Sequence, residues 1–336
     1  MAYTTIDDPT AYFQTKLYTG NSSTQSITFD GNTNMQPDWV WIKSRSATEW
    51  HQVHDSVRGV AKYLFTNTNS AEGERSPNDQ VTSFNSNGFS LGAGANDSVN
   101  SNGGSYASWN WKEVAGVFDI VTYAGNNTGS RQVSHNLGVV PSLIIIKNRT
   151  NASSWWLGST EIAFTWNTDY LQLNENAAKG TDGGGHIFGA VPTSSYFVPG
   201  DNNDTNGNSN NYVAYLFGNK QGVSKVGSYT GNGNADGTFI YTGFKPAFVM
   251  VKQVSASGED WFICDNKREG YNAENNRLMP NLNSAESTDS PIDILSNGFK
   301  ARQSGAAVNG SGASYIYMAF AEQPFVTSSG VPATAR

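Results

Sequence analysis

Pro37-Asp-Trp-Val-Trp-Ile-Lys43, Pro141-Ser-Leu-Ile-Ile-Ile-Lys147 and Pro246-Ala-Phe-Val-Met-Val-Lys252 are one line written three times, at steps of 104 and 105 residues. Self-similarity at a fixed period sets the architecture before any motif does. Each line is too short for a helix, rich in β-branched or aromatic residues, and opened by proline. Such a run reads as a strand buried on both faces, or buried on one and covered by a neighbouring copy on the other. The lysine that closes each line, Lys43, Lys147 or Lys252, ends a buried strand. A packing or ion-pair role repeated in every copy is expected of it, rather than catalysis.

Other lines keep the same register. Each copy opens on Tyr-x-Gly-Asn, at Tyr18, Tyr123 and Tyr229. Midway stands Leu-x-x-Asn-x-x-x-Ala, starting at Leu64, Leu171 and Leu278, and an aromatic strand closes each copy near Tyr106, Tyr212 and Tyr315. Ser-Asn-Gly-Phe recurs at Ser86 and Ser296 but is replaced in the second copy by Ser195-Tyr-Phe197. Asn-Gly pairs at Asn87, Asn102, Asn206, Asn232, Asn297 and Asn309 are hairpin-turn signals, because both residues accept positive φ. The chain therefore reads as all-β: three tandem β-sandwich modules of about 105 residues. The divisions are an N-terminal arm or first strand over 1–17, modules over 18–114, 115–222 and 223–322, and a tail over 323–336. With almost no linker between copies, a rigid block is expected. Single helical turns are expected only near 56–62 and 283–286.

Composition narrows the function. The chain has 336 residues, 12% of them aromatic and 15% charged, with 35 glycines. The aromatic content separates it from disordered chains. A net charge of −7 argues against nucleic acid, which calls for a basic face, and against docking on anionic lipid. One cysteine, Cys264, lies in an apolar stretch and reads as a small buried side chain. The polar, acidic start resembles no secretory leader, so synthesis and folding in a cytosol are expected.

Chemistry-bearing groupings are thin. His51 and His54 lie three apart, which on a strand places them on opposite faces, so a shared metal is not expected; capping or flanking a turn is the plainer role. His135 and His186 sit alone in polar turns. Acidic residues scatter through loops, with no paired carboxylates of the glycosidase kind legible. The loop Asp201-Asn-Asn-Asp204-Thr-Asn-Gly-Asn208 is oxygen-rich, and Asp201 and Asp204 are weak Ca²⁺ ligands at best, lacking the spacing of a calcium loop. No catalytic residue, metal or cofactor is expected. Trp50, Trp155, Trp156 and Trp261 recur just after the Pro-x5-Lys strand. They are expected to pack in the core, with stacking on a sugar as the functional alternative.

Gln36-Pro-Asp-Trp-Val-Trp-Ile-Lys-Ser-Arg45, His51-Gln-Val-His-Asp-Ser-Val-Arg-Gly59, Ser83-Phe-Asn-Ser-Asn-Gly-Phe-Ser-Leu-Gly92 and Tyr106-Ala-Ser-Trp-Asn-Trp-Lys112 resemble a repeated domain of tailed-bacteriophage virion structural proteins, chiefly those of marine and cyanobacterial phages. The match is close in the first copy and degenerate in the others, where the His-Asp-Ser-Val-Arg-Gly segment is absent. The resemblance implies a lectin-like or jelly-roll-like sandwich. It also implies a non-enzymatic protein on the particle surface, a tail-fibre or adhesin subunit or a capsid decoration protein, localised to the virion and assembled in host cytoplasm. The partners it implies are other virion proteins and further copies in a homo-oligomer or multi-copy assembly. Recognition of a host surface glycan is an alternative, and a polysaccharide depolymerase a more distant one. The first copy, with the fullest motif set, is where a specialised job is expected.

Overall fold

The computed structural model describes residues 4–335, except 77, 94–96, 270 and 273. Among the described residues the strands pair antiparallel and fall into six sheets that form three matched pairs. In the first module the large sheet runs, in spatial order, Phe13–Thr19, Ser105–Trp111, Trp39–Ser44, Gln52–Asp55, Lys62–Phe65 and Gly73–Glu74. The second repeats that order with Phe118–Ala124, Asn211–Phe217, Leu143–Asn148, Trp155–Ser159, Asp169–Gln172 and Gly180–Thr181. The third keeps its first four members, Ser224–Thr230, Ser314–Pro324, Phe244–Gln253 and Phe262–Asp265. A smaller sheet of three or four strands covers the outer face of each. Residues 13–17 thus belong to the first strand of the first module and not to a separate arm.

The Pro-x5-Lys lines are fully buried strands, and the reason is an inner and an outer core. Val40 and Ile42 face the outer core of the first sandwich, Ile144 and Ile146 that of the second, and Val249 and Val251 that of the third. The alternate residues Trp39, Trp41, Leu143, Ile145, Phe248 and Met250 all enter one common core. Strand side chains alternate between faces, so each line lends one face to its own sandwich and one to the shared centre. The three modules are therefore not beads on a string. Trp111, Phe217 and Phe320, which hold equivalent register positions, meet there with ring centroids 5.6 to 6.5 Å apart. Phe13 stacks on Phe320 at 5.1 Å, and Trp39 stacks on Tyr215 at 4.7 Å.

The Tyr-x-Gly-Asn line fastens each module's far end. Tyr18, Tyr123 and Tyr229 donate their hydroxyls to the carbonyls of Val99, Thr205 and Val308. Each ring stacks on a closing-strand tyrosine, Tyr106, Tyr212 or Tyr315, at 4.7 to 5.1 Å. The glycine is required because backbone crosses there. A Cβ at Gly20, Gly125 or Gly231 would lie 2.1 to 2.3 Å from a carbonyl oxygen, of Ser101, Gly207 and Gly310 respectively. Gly125→Ala is accordingly expected to lower stability by at least about 2 kcal/mol, read as a reduced midpoint in urea.

Two local expectations are corrected. No helix forms over 56–62, where a turn leads into Lys62–Phe65, nor over 283–286; the described helical segments are Pro9–Ala11 and Asp97–Asn100. Asn87-Gly88 and Asn297-Gly298 do turn hairpins. Asn206 and Asn309 do not, because their amides are buried hubs. Together with Asn100 at the matching position, they bind backbone of the Tyr-x-Gly-Asn loop from beneath. Among the described residues no helix is long and apolar enough to cross a membrane.

Candidate functional site

The chemistry-bearing side chains gather at the three joints between modules, and the register lets the joints be compared residue by residue. Trp155 donates its indole N–H to the Phe65 carbonyl of the first module at 2.8 Å. Trp261 donates to the Gln172 carbonyl of the second at 2.9 Å. The equivalent position in the first module is His51. Its Nδ1 accepts from Trp41 Nε1 at 3.0 Å, leaving the proton on Nε2. That nitrogen lies against the Met279 carbonyl of the third module without closing a full hydrogen bond. Burial, helped by the positive charges of Lys43 and Arg268, holds His51 well below the usual histidine range, so it is neutral. The backbone N–H at all three positions is capped by the asparagine of the Leu-x-x-Asn line: Asn67, Asn174 and Asn281 at 2.8 to 3.0 Å.

This corrects two alignments made on sequence alone. Trp50 is not the counterpart of Trp155 and Trp261. It is 45% exposed, edge-on to Phe65 at 4.5 Å, with Tyr63 beyond at 5.0 Å from Phe65. Trp155 and Trp261 are buried with their indoles committed to the joints. Trp156 packs in the outer core against Tyr170 and donates to Ser153 Oγ. His51 immediately precedes the strand Gln52–Asp55 and His54 lies within it, close before the turn at 56–58, and the two rings point to opposite faces, as the spacing implies. His54 is buried beside Gln52.

The second correction concerns the Asp-Ser-Val-Arg segment, which is not confined to the first copy. Asp265-Asn-Lys-Arg268 occupies the same register in the third. Asp55 pairs with Arg58, and Asp265 pairs with Arg268 at 2.6 Å, all four side chains fully buried. Each acid also accepts from the next module: Asp55 Oδ2 from the Tyr215 hydroxyl at 2.7 Å, and Asp265 Oδ2 from Trp109 Nε1 at 2.9 Å. Each arginine reaches a glutamate that clamps a second arginine across the joint. The chains are Arg58–Glu72–Arg149 and Arg268–Glu286–Arg45, with contacts of 2.8 to 3.1 Å. At the remaining joint every member differs: Ser159, Ile162, Lys179, Val254 and, for the donor, Met318. Where the acid is lost, so are the arginine and the donor that would be left without it. The backbone bond is kept at all three joints: Glu72 to Arg149, Lys179 to Val254, and Glu286 to Arg45, at 2.9 to 3.0 Å.

The repeated lysines bind carbonyls rather than carboxylates. Lys43 Nζ donates to Ser44 and Ala47, Lys147 to Asn69 and Ser153, and Lys252 to Gln253 and Asn176. The bonds to Asn69 and Asn176 cross a joint. Burial pulls Lys147 down to about 7 and the other two to about 8, while the carbonyl acceptors favour the charged form against that pull.

A carboxylate cluster not visible in the sequence does form. Asp38, Glu113 and Asp119 meet at the first-to-second joint, beside a shallow cavity of about 230 Å³. Their oxygens serve backbone and hydroxyl donors: Glu113 Oε1 accepts from Ile120 N, Asp119 Oδ2 from Asn136 N, and Asp38 from Glu113 N and Ser56 Oγ, at 2.6 to 2.9 Å. Desolvation, with the neighbouring acids, raises Glu113 from 4.5 to about 7. A raised carboxyl contributes stability that is complete below its unfolded value and fades as pH rises through the folded one. Glu113→Gln is therefore expected to remove a fall in Tm between about pH 4.5 and 7, measured against wild type by scanning fluorimetry.

Asp201 pairs with exposed His186 Nδ1 at 2.8 Å, which raises the histidine, and Asp204 accepts from Ser153 Oγ at 2.6 Å. Among the described residues no three His, Cys, Asp or Glu side chains gather as a metal site. One exposed feature escaped sequence reading: Phe239 and Tyr241, 45% and 51% exposed, share the outer face of a small-sheet strand. The matching positions in the first module are Ser26 and Thr28.

The sequence model of a family described as Domain of unknown function (DUF7483) matches residues 8–324. No curated protein and no solved structure matches the chain.

Proposed function

The chain belongs to the DUF7483 family, and from that premise we propose that it is a non-enzymatic structural protein of a bacteriophage particle surface, either a tail-fibre or adhesin subunit or a capsid decoration protein. The observation that carries the reading is where the repeated residues go. Glycines, tyrosines, asparagines, lysines and the Asp-x-x-Arg pairs are all committed to closing three sandwiches on one core, which suits a rigid building block. The resemblance of the first copy to phage structural repeats gives that block its setting. The acids nearest to a catalytic pair, Glu113 and Asp119, are engaged in backbone capping, which favours a scaffold over a depolymerase. Its partners are other virion proteins and further copies of itself. Mass spectrometry of gradient-purified particles is expected to find the chain at a stoichiometry of many copies. Its absence from such particles would refute the proposal.

Recognition of a host glycan is the second reading. It is favoured by Trp50 and by the Phe239–Tyr241 pair, whose exposed rings can stack on sugar faces. Trp50→Ala and Phe239→Ala are expected to slow adsorption of particles to host cells without changing the amount of protein incorporated. Unchanged adsorption in both would remove this reading and leave the structural one standing.

A further inference from the structure

At two of the three joints a glutamate is gripped from both sides by arginine: Glu72 by Arg58 and Arg149, and Glu286 by Arg268 and Arg45. At the second-to-third joint the matching residues are Lys179, Ile162 and Val254. The backbone still closes that joint, with Lys179 N donating to the Val254 carbonyl at 3.0 Å. Two guanidinium side chains are thus replaced by shorter aliphatic ones on an unchanged backbone. In their place stands a pocket of about 430 Å³, open to solvent, with Ile162, Lys179 and Val254 in its wall. That volume lies within the range of about 300–1,000 Å³ typical of small-molecule sites.

The groups that line it are within reach of a ligand. Ser228, Thr230, Ser255 and Ser314 of the third module are exposed at its rim. Ser228 and Thr230 share a strand face with Val226, which enters the common core, so their hydroxyls turn toward the joint. Ile162 and Lys179 of the second module are half-buried, and Val254 closes the floor. Among the described residues that line the pocket, Lys179 alone is charged. Its ammonium has three N–H donors, and among the described residues it pairs with Asp169 alone. Glu72 and Glu286 each meet two cations, whereas Lys179 meets one anion. The sign at the centre of the clamp is reversed, so the group complementary to it is a carboxylate where the sister joints use a guanidinium. Hydroxyls at the rim can both donate and accept, and the two aliphatic side chains offer a surface to C–H groups. A pyranose carrying a carboxylate presents the matching features: an anionic group, hydroxyls along its edge and an apolar face.

We propose that the second-to-third joint binds an acidic sugar of the uronic acid class, its carboxylate on Lys179 and its ring against Ile162 and Val254. The proposal does not depend on the particle reading, nor on Trp50 and Phe239, which do not line this pocket.

The full chain is titrated with glucuronate and galacturonate, and with glucose and galactose as their neutral counterparts, at millimolar concentration, by saturation-transfer NMR and calorimetry. Saturable binding of at least one acid is expected, roughly tenfold tighter than its neutral counterpart, as a hydrogen bond to a charged group implies. Two variants locate the site. Ser228→Leu installs the residue that the first module carries at the same register, Leu17, so it is expected to fold while narrowing the pocket and removing a hydroxyl. It is expected to weaken binding by about tenfold or more. Lys179→Gln removes a partly exposed charge and is expected to make acid and neutral sugar bind alike. Thermal melting of both variants checks that they fold. Absence of saturable binding by either acid would overturn the proposal. So would binding that survives intact in Ser228→Leu, which would place the sugar elsewhere, or a preference for the acid that persists in Lys179→Gln.

Discussion

Asp55→Ala is expected to cost about 4 kcal/mol, the range measured when one partner of a buried ion pair is removed, and to be the most damaging single change outside the aromatic core. Three facts set the size. Asp55 and Arg58 side chains are fully buried. Arg58 is strongly held in its charged form, with Asp55 the first of the groups that favour the charge. The Tyr215 hydroxyl of the next module donates to the same carboxylate. Deleting the acid strands a guanidinium and a phenol at once, and Glu72, half-shared with Arg149, can compensate only part of it. The molecule also contains the control. At the second-to-third joint the acid, arginine and donor are Ser159, Ile162 and Met318, and that joint closes without them. The combined replacement Asp55→Ser, Arg58→Ile and Tyr215→Met is therefore expected to be far milder than Asp55→Ala alone. Replacing the acid, the arginine and the donor together leaves no stranded charge in the core, whereas removing one partner of a buried pair does. Urea midpoints of the two proteins check this. A triple variant at least as unstable as the single one would show that the network supplies net stability, contrary to this account.

Acid is expected to unfold the protein through its buried histidines. Desolvation, with Arg58 nearby, pulls His54 from 6.5 to about 3, and His51 is lowered in the same sense. A group whose folded value is depressed contributes stability that is present above its unfolded value and lost as pH falls toward the folded one. For His54 that window runs from about 6.5 down to 3. At about 1.4 kcal/mol per unit, some 3 kcal/mol is lost by about pH 4 from this residue alone. Glu113 works in the opposite direction over part of the window, but it is partly solvated and its effect is correspondingly screened. Cys264 stands at the His54 position in the third module, so His54→Cys is a replacement the fold already accommodates. It is expected to flatten the acid limb of the stability profile. An unchanged slope would mean that His54 is not a titrating group in unfolding.

The fold was legible because its strongest signals were local. A proline, five apolar residues and a lysine specify a short buried strand without reference to anything else, and three copies specify three large sheets. What the sequence could not convey was which face of Trp39 or Phe248 met which module, since a strand buried on both sides reads the same whether its second cover is its own sandwich or a neighbour. The shared core follows only from the packing. The equivalence of His51 with Trp155 was hidden because Trp50 lies one residue away, and an aromatic match in a linear string outweighs a histidine. A one-residue slip on a strand moves a side chain to the opposite face, and here it exchanged a buried joint residue for an exposed ring. The Asp265–Arg268 pair was missed for a different reason. Its neighbours changed from Ser-Val to Asn-Lys, while the physical requirement, an acid and an arginine three apart at a tight turn, did not. The cluster of Asp38, Glu113 and Asp119 joins residues far apart in sequence, and no spacing rule could announce it.

The central claim is that three sandwiches form one cooperative body around a common aromatic core. Differential scanning calorimetry of the full chain tests it most directly. One transition is expected, with a calorimetric enthalpy equal to the van't Hoff enthalpy, because no module can open without exposing Trp39, Trp111, Phe217 and Phe320 together. Two or three separable transitions, with the van't Hoff enthalpy well below the calorimetric one, would show modules that fold independently and would contradict the account.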